Sequence, residues 1–188
     1  MPQQVTFHRA DSLPQSVVQQ LKCELNTLPV EEREVEKRKR LDDWIDAGHG
    51  SCVLSRPEIA DITEASLLRF DSHRYRLIAW VVMPNHVHAL FTAMGGWTVA
   101  QIVASWKKFT ARKIYDSRRS LAEEVTGPVW HREYWDRYIR DQRHLVRTID
   151  YIRLNPVKAG LAGAAESWRW SSAFPWNANR EIGVPRGV

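Results

Sequence analysis

Cysteine is nearly absent: Cys23 and Cys52 are the only two among 188 residues. They fit no metal spacing and suggest a reducing compartment rather than a disulfide framework. No run of eighteen apolar residues occurs, so no transmembrane helix is expected. The start, "MPQQVTFHRADSLP", lacks a basic segment followed by an apolar stretch and does not read as a signal peptide. Internal repeats and low-complexity tracts are also missing. These absences lead to the expectation of a cytoplasmic protein without membrane contact. What is present is an ordinary core complement, 44% hydrophobic residues, in a length that suits one domain with appendages.

The net charge is +5, and it is unevenly spread. Residues 1–60 hold 8 Lys+Arg against 10 Asp+Glu, and residues 61–100 hold 3 against 3. Residues 101–160 hold 13 against 7, an excess of six that accounts for nearly all of the imbalance. A basic stretch of this kind suits a polyanionic partner. A solvated basic face fits the same count.

The pattern of elements points to an α+β architecture. "QVTFH" (Gln4 to His8) has β-formers at alternate positions and reads as a strand. Two helical stretches follow, Ser16 to Leu28 and Glu31 to Ala47, as a charged arm over residues 16–50 in which no chemistry is visible. Pro57 opens a helix to about Phe70. "RLIAWVV" (Arg76 to Val82) is continuously apolar and reads as a central strand covered on both faces. "MPN" signals a turn, and "HVHALF" returns as the second strand of a hairpin. Val99 to Ile114 is an amphipathic helix. "VWHREYWDRYI" (Val129 to Ile139) is rich in β-formers and reads as a strand. Leu145 to Leu154 reads as a helix, with Asn155 and Pro156 capping and opening one more short turn that ends at Gly160. The expectation is one domain over residues 1–188, with a small antiparallel sheet, helices packed on one face, and a tail over 175–188.

Alternate residues of a strand share a face, so His86 and His88 point the same way. Two imidazoles on one face can hold a divalent ion, and two hydrogen-bonded core histidines satisfy the same pattern. Two histidines alone leave positions open for water and a phosphate oxygen, which suits Mg²⁺ or Mn²⁺ acting on a phosphodiester. Tyr151 differs from the other tyrosines in having Arg147 and Asn155 one turn either side. A tyrosine among basic and amide groups can attack a phosphate. A tyrosine at the border of an amphipathic helix fits that position too.

"WVVMPNHVHALF", "WKKFTARKI", "VWHREYWDRYIRDQRHL", "YIRLNPVKAGL" and "WRWSSA" occur in this order. Together they resemble the REP-associated tyrosine transposases, members of the HUH single-strand DNA nucleases related to the single-tyrosine transposases of small insertion sequences. The resemblance runs from Val5 onward and is weakest over 16–60 and after Phe174. It implies a ferredoxin-like sheet, with His86 and His88 as metal ligands and Tyr151 as the nucleophile. The related transposases complete the metal site with an amide four residues after the tyrosine, which corresponds to Asn155. Asn is shorter than the Gln of those relatives, and a helix-capping role for Asn155 stays open.

The resemblance further implies a metal-dependent single-strand DNA endonuclease and strand transferase. Its substrate would be REP-type hairpins, and the reaction would pass through a 5′-phosphotyrosine. A hairpin-binding relative that does not cut, and a hydrolase that uses water, are the competing readings. Lys107, Lys108, Arg112, Arg140 and Arg147 are candidate contacts to single-stranded or hairpin DNA. A monomer and a homodimer are both compatible with the sequence.

Overall fold

The computed structural model describes residues 1–120 and 127–178. Most of the expected 175–188 tail therefore lies outside the described residues. Four strands form one sheet: β1 (Gln3–His8), β2 (Tyr75–Val82), β3 (His86–Ala93) and β4 (Trp135–Tyr138), in the order β2-β3-β1-β4. All neighbours are antiparallel. Among the described residues six α-helices accompany them: α1 (Gln15–Leu25), α2 (Val30–Asp46), α3 (Pro57–Leu68), α4 (Val99–Ser120), α5 (Gln142–Lys158) and the short α6 (Pro175–Ala178). The expected ferredoxin-like antiparallel sheet is present.

The strand order explains where the helices lie. β1 and β2 run parallel with β3 between them, and β3 and β4 run parallel with β1 between them. Each pair is thus a split β–α–β unit, with α3 closing the first crossover and α4 the second. Right-handed crossovers put both helices on one face. Val5, Phe7, Trp80, Val82, Val87, Ala89 and Phe91 meet Ile59, Leu67, Ile102 and Trp106 in the main core there. The expectation of helices on one face holds for α3 and α4. After β4 the chain crosses to the other face, where Ile152 of α5 packs on Ala79, Val81 and Leu90.

Three local expectations are corrected. The apolar run in β2 belongs to an edge strand, not a central one. Its free edge is covered by the segment after α5: Val82 N–H donates to Trp170 O at 2.8 Å, and Ser172 N–H donates to Trp80 O at 2.9 Å. A covered edge needs the same apolar composition as a central strand. The expected strand Val129 to Ile139 shortens to Trp135–Tyr138. Val129 and Trp130 turn into the core instead, and Lys107 Nζ fixes the intervening loop by donating to His131 O and Arg132 O at 2.7 and 2.8 Å. Finally, α5 runs without a break through Pro156. Proline costs only the one bond its missing N–H would make to Ile152 O, so a position in the last turn is tolerated. Asn155 is therefore inside a helix, and the capping role does not apply.

Candidate active site

The β1–β3 register aligns His8 with His86 and Thr6 with His88. Both histidines of β3 project from the α5 face and are fully buried. Their Nε2 atoms face each other at 3.0 Å. The Nδ1 atoms are occupied elsewhere: His86 Nδ1 is 2.7 Å from Asn85 Oδ1, and His88 Nδ1 is 2.8 Å from Thr6 Oγ1. Asn85 Nδ2 donates to Ile45 O and His49 O, so its Oδ1 is the atom turned to His86. An amide oxygen only accepts. His86 therefore carries its proton on Nδ1 and presents a lone pair at Nε2.

The same Asn85 bonds bring in the helical arm. They tie the end of α2 to the hairpin turn, and Asp46, the last residue of α2, falls into the site. Asp46 Oδ1 lies 3.2 Å from His86 Nε2 and 3.5 Å from His88 Nε2. Asp46 Oδ2 accepts from the Tyr151 hydroxyl and from Asn155 Nδ2, each at 3.0 Å. From α5, Thr148, Tyr151, Ile152 and Asn155 form the stripe turned to the sheet, and the His88 and Tyr151 rings meet edge to face at 5.2 Å.

Electrostatics define what this arrangement can do. Burial lowers the His86 pKa from 6.5 to about 4, against the opposing influence of the Asp46 carboxylate, so the ring is neutral at physiological pH. Burial works against ionisation of Asp46, but the facing imidazoles outweigh it and hold its pKa well below the usual carboxylate range. Burial raises the Tyr151 pKa above its ordinary value, and the charge of Asp46 raises it further. The groups nearest the phenol are thus acidic, whereas the sequence pointed to Arg147. Lys158 Nζ lies 5.1 Å from the Tyr151 ring centre.

Asp46, His86 and His88 offer ligand atoms within 4.8 Å of one another. A lone pair of His86 and an Asp46 oxygen face each other with nothing to donate between them. Asp46 Oδ1 and Asn155 Oδ1 are buried without a hydrogen-bond partner. Unpaired buried acceptors of this kind are costly, and a divalent cation resolves them. A carboxylate in the last turn of a helix is also opposed by the helix dipole, so its retention there calls for a compensating positive partner. The residues present fit a metal held by two imidazoles and oxygen ligands.

A family model for transposases, described as "Transposase IS200 like", matches residues 58–155, just over half of the chain. The chain belongs to the IS200-like transposase family.

A REP-associated tyrosine transposase of Escherichia coli K12 is 26% identical over 98 residues, which cover 52% of this chain and 54% of that protein. The chain spans between half and two thirds of the length of the curated relatives it matches. Among solved structures, a REP-associated tyrosine transposase bound to a REP hairpin superposes with a TM-score of 0.60 at 16% identity, covering 97% of this chain and 82% of that one. That likeness shows the fold. Among the described residues, no helix is long and apolar enough to cross a membrane.

Within the IS200-like chain, His86, His88, Tyr151 and Asn155 converge as one cluster. The five basic candidates do not. Arg140 and Arg147 line the cleft beside Tyr151. Lys108 and Arg112 are exposed on α4, the helix of the opposite face, and Lys107 is engaged with the loop carbonyls. Sequence reasoning missed Asp46 and Asn85. Asp46 adjoins Ile45, which with Leu41 forms the buried i, i+4 stripe of α2. That stripe was the available sign that the end of α2 packs inward.

Proposed function

We propose that this IS200-like family member is a metal-dependent single-strand DNA endonuclease and strand transferase that acts on REP-type hairpins through a 5′-phosphotyrosine. The observation that carries the reading is the meeting of the Tyr151 phenol, the Asn155 amide and both histidines on one carboxylate, Asp46. His86 Nε2, His88 Nε2, Asp46 Oδ1 and Asn155 would hold the ion, which is Mg²⁺ or Mn²⁺. Such an ion supplies polarisation of a non-bridging phosphate oxygen.

The protein's own groups do the rest. Tyr151 Oη attacks phosphorus, the bond to the 3′-oxygen breaks, and the departing 3′-hydroxyl takes up a proton. Asp46 Oδ2 already accepts the hydroxyl hydrogen bond and is placed to take the phenol's proton. The covalent link conserves the phosphodiester energy, and a second 3′-hydroxyl reverses the step into a new strand. Asn85 keeps His86 in the tautomer with its Nε2 lone pair inward. Arg140 and Arg147 supply backbone contacts along the cleft.

Incubating a labelled hairpin oligonucleotide bearing a single-stranded flank with the protein and Mg²⁺ or Mn²⁺ tests the reading. Nicking with a covalent protein–DNA adduct on a denaturing gel is expected. Binding without nicking makes the chain a hairpin-binding relative, and nicking without an adduct makes it a water-using hydrolase.

A further inference from the structure

A cleft of about 680 Å³ opens beside Tyr151, between α2 on one side and β4 with α5 on the other. Its floor is set by the sheet register. Thr6 is aligned with His88 on one side and with Trp135 on the other. Directly opposed residues of antiparallel strands project from the same face. Trp135 therefore stands in the row of His88, two strands away, at roughly 10 Å from strand spacing alone. Its half-buried ring rests against the fully buried His8 at 5.3 Å between centroids, and His8 in turn stacks on His131 at 4.6 Å.

The cations have a matching arrangement. Arg137, two residues after Trp135 on the same strand, and Arg140 and Arg147 line the same cleft. None of the three forms an ion pair with a carboxylate among the described residues. The α2 side carries Asp42 and Asp43 with one cation, Lys39, so the excess of positive charge that a polyanionic strand would follow lies on the arginine side. An aromatic face beside several unpaired guanidinium groups is the chemistry that binds a single-stranded nucleotide: stacking for the base, charge for the flanking phosphates.

We propose that this cleft is a nucleotide subsite in which the base next to the phosphate held at Tyr151 stacks on Trp135, with Arg137, Arg140 and Arg147 on the flanking backbone. Trp135 is thereby a substrate-positioning residue for the reaction, one that the aromatic run 129–139 had hidden as strand packing. This rests on the single-stranded DNA substrate of the reading above and adds where one of its bases goes.

Binding measured without cleavage tests it. Tyr151→Phe protein is titrated, by fluorescence anisotropy, with hairpin oligonucleotides whose flanking nucleotides are made abasic one at a time. One position next to the cleavage site should weaken binding on the order of 10-fold, as loss of one stacked base does. The same abasic position should cost nothing further when Trp135 is also replaced by Leu. Trp135→Phe keeps a ring against His8 and should retain part of the discrimination, which separates lost stacking from lost folding. Equal losses at every abasic position, or a position-specific loss that survives Trp135→Leu in protein with a normal melting transition, overturn the subsite while leaving the nuclease reading intact. A Trp135-dependent loss in a protein that never nicks DNA upholds the subsite and removes the chemistry. A protein that binds none of the oligonucleotides overturns both.

Discussion

Helices α2 and α4 are both charged, both flank the sheet, and carry opposite lessons. α4 lies in the stretch whose basic excess pointed to nucleic acid. It covers the face away from the histidines, and its Lys107 is committed to two loop carbonyls. α2 lies in the stretch with a slight acidic excess, and it delivers Asp46 between His86 and His88. Net charge describes a segment's composition. A site depends on which side of the sheet the segment reaches, and here the crossover connections decide that. The arginines that share a cleft with Tyr151, Arg137, Arg140 and Arg147, come from β4, the turn after it and α5, and Lys39 of α2 joins them, so all lie outside the basic helix.

Substitutions that remove the α2 contribution should have the largest effect. Asp46→Asn keeps the shape of the side chain and removes its charge, and His86→Ala removes a ring nitrogen. Each should lower the rate of hairpin cleavage on the order of 100-fold or more, measured at saturating DNA. Lys108→Ala and Arg112→Ala on α4 should leave that rate near wild type. If the α4 variants lose activity and Asp46→Asn does not, the roles of the two helices are reversed.

Binding should separate the two faces in a second way. Replacing Arg140 and Arg147 together by Ala should weaken affinity for all flank sequences alike. It should also flatten the log–log salt dependence by roughly 0.7 for each lost phosphate contact on a single strand. The Lys108/Arg112 double variant should keep the wild-type slope. A slope changed by the second pair and not the first would move the backbone path to the other face.

Asn85 joins the hairpin to the end of α2, so Asn85→Ala should loosen both. The two donated bonds to Ile45 O and His49 O are lost, at a cost of about 1–3 kcal/mol in denaturant unfolding. The variant should also need more metal for half-maximal cleavage. Loss of stability with an unchanged metal requirement would limit Asn85 to tying down the arm.

The smallest expected effect is on stability as a function of pH. Burial sets the folded pKa of His8 and His86 at about 4, below the ordinary 6.5. Between these values the unfolded chain binds more protons than the folded one. Stability is thus fully present above pH 6.5 and declines as the pH falls towards 4. The melting temperature of metal-free protein should drop over that window, and a flat or rising profile would mean that these rings are charged in the fold.

Much of the site was legible because its parts are local. Alternation placed His86 and His88 on one face, and the helical repeat put Tyr151 one turn from Asn155. The hairpin was legible from an apolar run followed by a Pro-Asn turn. What failed was everything that depends on distant partners. β2 read as central because Trp168 to Ser172, some 90 residues later, shields its edge. Asn155 read as a cap because Asn-Pro is the usual opening of a helix, and only packing of α5 on the sheet carries the helix through it. Asp46 read as one more solvent-facing acid because its partners lie 40 and 105 residues away.

The central claim is that Tyr151, held at Asp46 and the two histidines, forms the covalent bond to DNA. The direct measurement is mass spectrometry of the peptide linked to a single-stranded or hairpin substrate after cleavage, with Tyr151→Phe as the paired sample. The account predicts one DNA-linked peptide, the one containing Tyr151, and none from a Tyr151→Phe protein that still folds and binds the hairpin. A linked peptide carrying any other tyrosine, or cleavage by Tyr151→Phe at the wild-type rate, would contradict it.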